Sequence, residues 1–156
     1  MEFLKVSWIE VANMCESLIK KMDFKPDILV GISRGGLIPV RLFSDLLDNH
    51  NVTIIKIEFY KTINQTTGFP KLTQPLAVDV KNKKVLLVDD VSDTGRSLAV
   101  AKDHIQRSGA KEIKVATLHY KPHSTFKPDY FVGQTSAWIV YPWEVHETER
   151  ELKKKS

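Results

Sequence analysis

The amino-acid sequence predicts an α/β fold: a mostly parallel sheet of five strands flanked by helices. Short, continuous apolar runs, such as those at residues 27–32 and 84–88, are typical of strands that are buried on both faces. These runs alternate with segments whose apolar residues recur at helical spacing. A turn of serine, arginine and glycine at residues 33–36 separates the first strand from the next helix. Strands and helices that alternate in this way form parallel sheets, whose ligands bind beyond the carboxyl ends of the strands.

Four helices are predicted. Ser7 and Glu10 have the spacing of a capping box, and the apolar positions that follow, as far as Met22, keep helical spacing. Cys15 lies on the apolar side of this first helix and is expected in the core. The other helices are predicted at residues 37–47, 95–108 and 144–155, and Gly109 stands where a helix ending at residue 108 would stop.

Core strands are predicted at residues 27–32, 52–60, 84–88, 113–119 and 130–133, with a short strand piece at 78–80. Residues 60–75 are polar and contain Gly68, Pro70 and Pro75, so they are predicted to form a long loop with a functional role. Residues 138–143 are aromatic and are predicted to be irregular.

Length and composition restrict the class of protein. A chain of 156 residues, 42% hydrophobic and 27% charged, is expected to form one domain over residues 1–156 with a substantial core. The single cysteine rules out an intramolecular disulfide and suits a reducing compartment. The first ten residues do not have the pattern of a signal peptide, and no apolar run approaches the length of a membrane span. We therefore expect a cytoplasmic protein without a membrane partner.

The net charge of +4 suits a polyanionic small molecule as well as a nucleic acid. Part of it belongs to Lys153, Lys154 and Lys155, which are expected to be a solvated helix end. Because the sequence shows no strong basic stripe and no added DNA-binding domain, no nucleic-acid partner is expected.

The most informative segment is residues 85–97, VLLVDDVSDTGRS. Here Asp89 and Asp90 follow a buried strand, and a short loop then leads to a helix. The first turn of a helix has free backbone N–H groups that suit a phosphate, and Thr94, Gly95 and Ser97 stand at that point. The paired aspartates suit sugar hydroxyls or a hard cation such as Mg²⁺. Two acids after a strand can simply cap a helix, but the full pattern favours a pocket for a phosphorylated ribose.

This segment resembles the phosphoribosyl diphosphate signature of the type I phosphoribosyltransferases. Further landmarks appear in family order over nearly the whole chain and most resemble the small xanthine-guanine and hypoxanthine, or 6-oxopurine, enzymes. The resemblance implies a five-stranded parallel core, a mobile loop at about residues 60–75 and a small C-terminal hood at about residues 120–145.

The resemblance also assigns the phosphoribosyl half of the site. Ser33, Arg34, Gly35 and Gly36 match the loop that binds diphosphate, where a cis peptide is expected at Ser33–Arg34. Small residues let backbone N–H groups come close, and the Arg34 guanidinium suits diphosphate oxygens. The resemblance also implies that Asp89 and Asp90 bind the metal and the ribose hydroxyls, with Asp90 the better metal ligand. It implies that the 5′-phosphate is bound by the loop of Asp93, Thr94, Gly95, Arg96 and Ser97.

The base half is assigned in the same way. Lys121 matches a lysine that contacts the oxygen on C6 of the purine, and an ammonium group favours such an acceptor over the amino group of adenine. Trp138 is expected to stack on the purine, and backbone groups of Ile139 to contact its edge. Asp93 matches the candidate acid/base near N7 of the purine. Trp143 is expected to be a packing residue.

The function implied by the resemblance is purine salvage by a glycosyltransferase. The enzyme transfers 5-phosphoribose from phosphoribosyl diphosphate to N9 of hypoxanthine, guanine or xanthine, with Mg²⁺ as cofactor, and forms a homodimer or homotetramer. Val140 and Tyr141 depart from the more polar residues of the small bacterial enzymes, so the order of preference among the three bases stays open. Two alternatives remain: a transferase for another base such as adenine, and a regulator that binds phosphoribosyl diphosphate without chemistry.

Overall fold

The computed structural model describes residues 1–63 and 68–156. In this part of the chain, eight strands and four helices follow one another in the order β1 (Phe3–Lys5), α1 (Trp8–Lys21), β2 (Ile28–Ser33), α2 (Leu37–Leu46), β3 (Val52–Tyr60), β4 (Phe69–Gln74), β5 (Lys84–Ser92), α3 (Arg96–Arg107), β6 (Glu112–Tyr120), β7 (Gly133–Gln134), β8 (Trp138–Val140) and α4 (Val145–Lys155).

The main sheet has the strand order β4-β3-β2-β5-β6-β7 within the described residues. β3, β2, β5, β6 and β7 are parallel, and β4 is an antiparallel strand at one edge. The predicted α/β fold with a mostly parallel sheet is therefore confirmed, with one strand more than expected. After β2 the chain first builds one side of the sheet and then crosses to the other, so the strand order reverses between β2 and β5. In parallel sheets such a switch point is the usual place for a ligand.

Both faces of the sheet are buried under helices. Side chains of successive strand residues point to opposite faces, so both kinds of position are apolar. Leu29 and Leu86 pack on the face covered by α1 and α2, whereas Val30 and Leu87 pack on the face covered by α3. This arrangement explains the continuous apolar runs of β2 and β5.

α1 begins as the sequence predicts. The Ser7 hydroxyl accepts a hydrogen bond from the Glu10 amide (3.2 Å), and the Glu10 carboxylate accepts one from the Ser7 amide (2.7 Å). Cys15 is fully buried on this helix, and burial raises the pKa of its thiol to about 12. It is a core residue, not a nucleophile.

The prediction of a loop over residues 60–75 is wrong for Phe69–Gln74, which form β4. The prolines and the glycine favoured a loop in the sequence-based prediction. However, β4 is an edge strand, and Pro70, which pairs with Phe59, is tolerated there because an edge strand can lack an N–H donor. Residues 64–67 of the predicted loop lie outside the described residues.

Three other predictions are corrected. Residues 78–80 form no strand, although Val80 is buried. The predicted strand at 130–133 is replaced by β7 and an isolated bridge between Tyr130 and Ala116. In the hood, which was expected to be irregular at 138–143, β8 pairs in parallel with the unpredicted β1, with Leu4 opposite Ile139. The hood is thus fastened to the N-terminal strand.

Among the described residues, none of the helices has both the length and the apolar character needed to cross a membrane.

Candidate active site

Three adjoining pockets lie at the carboxyl ends of β2 and β5. The central pocket (about 440 Å³) is lined by residues 33–35 and both aspartates of the pair, the hood pocket (about 230 Å³) lies under the hood, and the loop pocket (about 170 Å³) lies against residues 91–98. Asp89 lines the central and loop pockets, Asp90 the central and hood pockets, and Asp93 the hood and loop pockets. The three pockets therefore form one continuous site around these carboxylates.

The loop after β2 approaches the end of β5 so closely that only glycine fits. A Cβ atom on Gly35 would lie 2.6 Å from the carboxyl atoms of Asp90, and one on Gly36 would lie 2.4 Å from the Val88 carbonyl oxygen. The Ser33–Arg34 peptide bond is cis, as expected. Ser33, Arg34 and Gly35 line the central pocket, whereas Gly36 is absent from the lining and packs beneath it, where its amide donates to the Ile32 carbonyl (2.8 Å).

Arg34 reaches across the central pocket to α4. Its Nη2 atom donates to both carboxylate oxygens of Glu147, at 3.0 and 2.9 Å. Arg34 has three further N–H donors, on Nε and Nη1, that can bind an anion. The ion pair thus orients the guanidinium while leaving it able to bind oxygens of a diphosphate.

Asp89 and Asp90 form a carboxylate pair at the end of β5. The Asp89 carboxylate accepts from the Asp90 amide (2.9 Å), and the Asp90 carboxylate accepts from the Val91 amide (2.7 Å). Burial raises the pKa of both carboxyls, and the neighbouring charge of Asp90 raises the pKa of Asp89 further. In the described part of the chain, neither carboxylate forms an ion pair with a lysine or arginine. Such a pair gains from a cation, and oxygen donors suit a hard one such as Mg²⁺.

The described residues hold no group of three or more His, Cys, Asp or Glu side chains that could bind a metal by themselves. A metal at the aspartate pair would therefore need oxygens from water or a ligand. Mg²⁺ commonly binds in this way, through one or two carboxylates and the phosphates of a substrate.

The loop pocket lies at the N-terminus of α3. Gly95 has a φ of +86°, which favours glycine, and a Cβ there would lie 2.6 Å from Phe126. Thr94, Gly95 and Ser97 line this pocket, and the first turn of a helix is a suitable place for an anion. Arg96 does not line it: its Nη1 donates to the Gly68 carbonyl (2.6 Å), so the side chain supports the β3–β4 connection.

The hood pocket brings together Asp93, Lys121, Trp138 and Ile139. Lys121 is only 8% exposed, its Nζ donates to the Ala137 carbonyl, and its amide donates to the Ser92 carbonyl (3.0 Å). A buried lysine beside a pocket is unusual, because this residue type is mostly exposed.

Trp138 has a half-exposed ring on the wall of the hood pocket. It is 39% exposed, which leaves indole surface for a flat ligand. The Lys155 ammonium lies 5.3 Å from the ring centroid. Lys155, which was expected to belong to a solvated helix end, is exposed and also makes a cation–π contact with Trp138. The hood and the end of α4 are thereby linked.

A buried hydrogen-bond chain connects the hood to the aspartate pair. The Tyr141 hydroxyl donates to the Asp90 carbonyl (3.0 Å) and lies 2.8 Å from Nδ1 of His119. Because the single hydroxyl proton is used on Asp90, His119 must donate from Nδ1. Burial, followed by the charge of Lys121, lowers the pKa of His119 to about 4, so the imidazole is neutral at physiological pH.

Sequence reasoning missed the contribution of α4. Glu144 and Glu147 line both the central and hood pockets, and Glu151 lines the hood pocket. Their spacing of three and four residues places them on one helix face, which is a signal that could have been recognised. Trp143, expected to be a packing residue, stacks on Tyr141 with ring centroids 4.7 Å apart and also lines the central pocket.

Comparison with known proteins agrees with this geometry. Residues 4–150 match the family model described as the phosphoribosyl transferase domain. A crystal structure of purine phosphoribosyltransferase from Pyrococcus horikoshii is 41% identical and has a TM-score of 0.86, with 92% of this chain and 95% of that chain covered. A xanthine-guanine phosphoribosyltransferase from Nitratidesulfovibrio vulgaris is 30% identical over 129 residues, or 81% of this chain and 73% of the relative. A hypoxanthine-guanine phosphoribosyltransferase from Schizosaccharomyces pombe is 27% identical, with 94% of this chain and 91% of the relative covered. The chain therefore belongs to the phosphoribosyl transferase domain family.

Proposed function

We propose that this chain is a purine salvage enzyme that transfers 5-phosphoribose from phosphoribosyl diphosphate to N9 of a 6-oxopurine: hypoxanthine, guanine or xanthine. The observation that carries the proposal is the buried ammonium of Lys121, which shares the hood pocket with Trp138 and Asp93 beside the two phosphate-binding loops. The names of the relatives, hypoxanthine-guanine and xanthine-guanine phosphoribosyltransferase, support the same class of base.

The phosphoribosyl group fits the loop and central pockets. The first turn of α3, with the hydroxyls of Thr94 and Ser97, suits the dianionic 5′-phosphate. The carboxylates of Asp89 and Asp90 suit the ribose hydroxyls, and Arg34 suits the diphosphate. Much of the catalysis then comes from positioning the two substrates and from stabilising charge.

Asp90, with Asp89, is the proposed holder of Mg²⁺, because neither carboxylate pairs with a lysine or arginine among residues 1–63 and 68–156. The chemistry supplied by bound Mg²⁺ is neutralisation of the negative charge on the leaving diphosphate.

The base half explains the preference for an oxo group. The Lys121 ammonium has three donors; one is directed to the Ala137 carbonyl, and the others are available to an acceptor at C6. The amino group of adenine offers no such acceptor. Trp138 supplies a face for stacking.

The reaction balances within this site. The N9–C1′ bond forms as the C1′–O bond to diphosphate breaks, and the electron pair of that bond leaves with the diphosphate. The purine gives up its N–H proton, for which Asp93 is the proposed acceptor. The products are a nucleoside monophosphate and diphosphate.

One assay tests the function. The chain is mixed with phosphoribosyl diphosphate, Mg²⁺ and each of hypoxanthine, guanine, xanthine and adenine, and nucleotide and diphosphate are measured by chromatography. We expect monophosphate from 6-oxopurines and much slower turnover of adenine. No turnover with any purine would favour a regulator that only binds, and preference for adenine would overturn the proposed base class.

The metal requirement is tested in the same assay. Chelation by EDTA is expected to stop turnover, and Asp90→Asn to raise the Mg²⁺ concentration needed for half-maximal rate. Asp103→Asn is the matched control, because Asp103 pairs with Arg107 on the outer surface of α3. An unchanged Mg²⁺ requirement in Asp90→Asn would contradict the proposed ligand.

Assembly and location are further expectations. Trp8 and Ile9 are exposed apolar residues at the start of α1, which supports a homodimer or homotetramer that covers them. Light scattering at several protein concentrations measures the oligomeric state. A free, buried Cys15 is consistent with the reducing environment of the cytoplasm.

A further inference from the structure

A histidine outside the predicted set contacts the proposed acid/base. His123 Nε2 lies 2.9 Å from Oδ1 of Asp93, and the pair joins the loop after β5 to the segment after β6. We propose that His123 is a positioning residue, which holds the Asp93 carboxylate against the purine during phosphoribosyl transfer. This inference rests on the proposed function and extends it to a residue that touches neither substrate.

The contact occupies one carboxylate oxygen. With a proton on Nε2, the imidazole donates to Oδ1 of Asp93, which leaves Oδ2 for the base. Asp93 lines the hood pocket together with Lys121 and Trp138, whereas His123 does not line it. His123 therefore contacts Asp93 from outside the lining of this pocket.

The backbone around His123 is held in place relative to the loop that carries Asp93. The Lys121 amide donates to the Ser92 carbonyl (3.0 Å), and the Thr125 amide and hydroxyl donate to the Thr94 carbonyl (3.0 and 2.9 Å). These bonds lie on both sides of His123 in its own segment and on both sides of Asp93 in the opposite segment.

Two side-chain contacts strengthen the junction. The Ser92 hydroxyl donates to the Phe126 carbonyl (2.7 Å) and lies 2.8 Å from the Ser124 hydroxyl. The close approach of Gly95 to Phe126 and Ser124 belongs to the same junction. The two segments that carry His123 and Asp93 are therefore hydrogen-bonded to each other, and this fixes the backbone positions from which the two side chains make contact.

The position of the pair predicts an effect on rate rather than on stability. The His123 and Asp93 side chains are 58% and 62% exposed, and exposed pairs of this kind contribute little to folding. An exposed carboxylate without a partner samples several rotamers, and a displacement of about 1 Å in a reacting group can cost about 10²-fold in rate. Because Arg34 and the hydroxyls of Thr94 and Ser97 are the proposed contacts of the diphosphate and the 5′-phosphate, the affinity for phosphoribosyl diphosphate should hardly change.

The first experiment is a comparison of steady-state kinetics for His123→Ala, His123→Gln and the wild type, with Mg²⁺, phosphoribosyl diphosphate and guanine. We expect His123→Ala to lower kcat about 10-fold and to leave KM for phosphoribosyl diphosphate within about 2-fold. His123→Gln should recover most of kcat, because its amide nitrogen can donate to the same oxygen. His50→Ala is the matched control, since His50 lies beside Asp48 in another exposed His–Asp pair.

A double-mutant cycle then separates positioning from a general structural role. In an Asp93→Ala background, single-turnover rates should be the same with and without His123→Ala, because the carboxylate through which His123 acts is gone. Thermal unfolding of each variant establishes that the compared proteins are folded.

Three outcomes would overturn the inference. They are an unchanged kcat in His123→Ala, a failure of His123→Gln to recover activity, and an equal loss on His123→Ala in the presence and absence of the Asp93 carboxylate. With an active wild type, these results overturn the positioning role alone. A wild type that turns over no purine overturns the proposed function, and the positioning role with it.

Discussion

The two halves of the site are built in different ways. The proposed phosphoribosyl half consists of two short stretches, residues 33–36 and 89–97, which lie at and just beyond the carboxyl ends of the neighbouring parallel strands β2 and β5. The base half takes Lys121 from the end of β6, Trp138 and Ile139 from β8, and one wall from α4. One half is thus formed by two short stretches at the carboxyl ends of adjacent strands, and the other by segments brought together from three further parts of the chain.

This difference determines how each half depends on its surroundings. In the phosphoribosyl half, backbone and glycine packing set the geometry, so a single added methyl group is enough to disturb it. In the base half, side chains hold one another, as in the chain from His119 through Tyr141 to Asp90. We therefore expect changes in the first half to affect every base equally, and changes in the second to alter base preference or stability by degrees.

The largest effect is expected from Gly35→Ala. The new Cβ would lie 2.6 Å from the Asp90 carboxyl, so it would displace the proposed metal and ribose ligand. We predict a loss of about 10²–10³-fold in kcat/KM for phosphoribosyl diphosphate, equal for all 6-oxopurines. Kinetics with each base measure this. A loss confined to one base would contradict the assignment of Gly35 to the phosphoribosyl half.

A base-dependent loss is expected from Lys121→Met, which keeps most of the side-chain volume. Without the ammonium, the C6 oxygen loses its charged donor, and turnover of 6-oxopurines should fall about 10²-fold, since a lost charge-assisted bond costs about 2–3 kcal/mol. The Kd for phosphoribosyl diphosphate, measured by calorimetry, should change far less. Lys111→Met, on the exposed connection before β6, is the control. Unchanged use of guanine would remove Lys121 from the base half.

The pH dependence of stability tests the buried network. The folded-state pKa of His119 is about 4, against 6.5 in the unfolded chain, so the unfolded state binds more protons between these values. His119 therefore contributes stability that is fully present above pH 6.5 and is lost as pH falls towards 4, by up to about 3 kcal/mol. Asp89 and Asp90 act in the opposite direction, because their folded pKa values are raised.

Urea unfolding of the wild type and of His119→Asn over this pH range isolates the histidine. An asparagine amide can still donate to Tyr141 but does not titrate, so its curve should fall less steeply on acidification. Parallel curves would show that His119 is not the responsible group.

A smaller effect is expected from Tyr141→Phe. The Tyr141 side chain connects the hood to the aspartate pair. Loss of the hydroxyl leaves the Asp90 carbonyl and the His119 N–H without this partner, and the free energy of unfolding should fall by about 1–3 kcal/mol. Denaturant titration measures this fall. We also expect KM for both substrates to rise modestly, whereas a change for one substrate only would show that Tyr141 serves a single half.

Much of the fold could be predicted because its signals are local. The buried strands β2 and β3 and the helices α1, α2 and α3 each carry their own periodicity and end signals, and their bounds differ little from the predictions, whereas β5 extends to Ser92, beyond its predicted end at residue 88. The errors concern elements that carry little local signal of their own. β4 depends on pairing with β3 in spite of Pro70, and β1 and β8 are only three residues each, too short to show a period.

The same distinction applies to the predicted site residues. The structure brings Asp89, Asp90, Asp93, Lys121 and Trp138 to one continuous site, but it directs Arg96 to the Gly68 carbonyl and packs Gly36 beneath the pocket. A pattern in the sequence identifies a loop, whereas the direction of each side chain depends on neighbours that are not in the pattern.

By itself, the sequence determined the parallel α/β architecture and predicted the residues of the proposed phosphoribosyl half, because each strand, helix and loop concerned is a run of fewer than about fifteen adjacent residues with local hydrogen bonding. Only the tertiary structure decided that Glu147 holds Arg34, that His123 contacts Asp93 and that Tyr141 reaches the Asp90 carbonyl. These contacts join residues that are 113, 30 and 51 positions apart, so they exist only after the sheet has brought the ends of its strands to one edge.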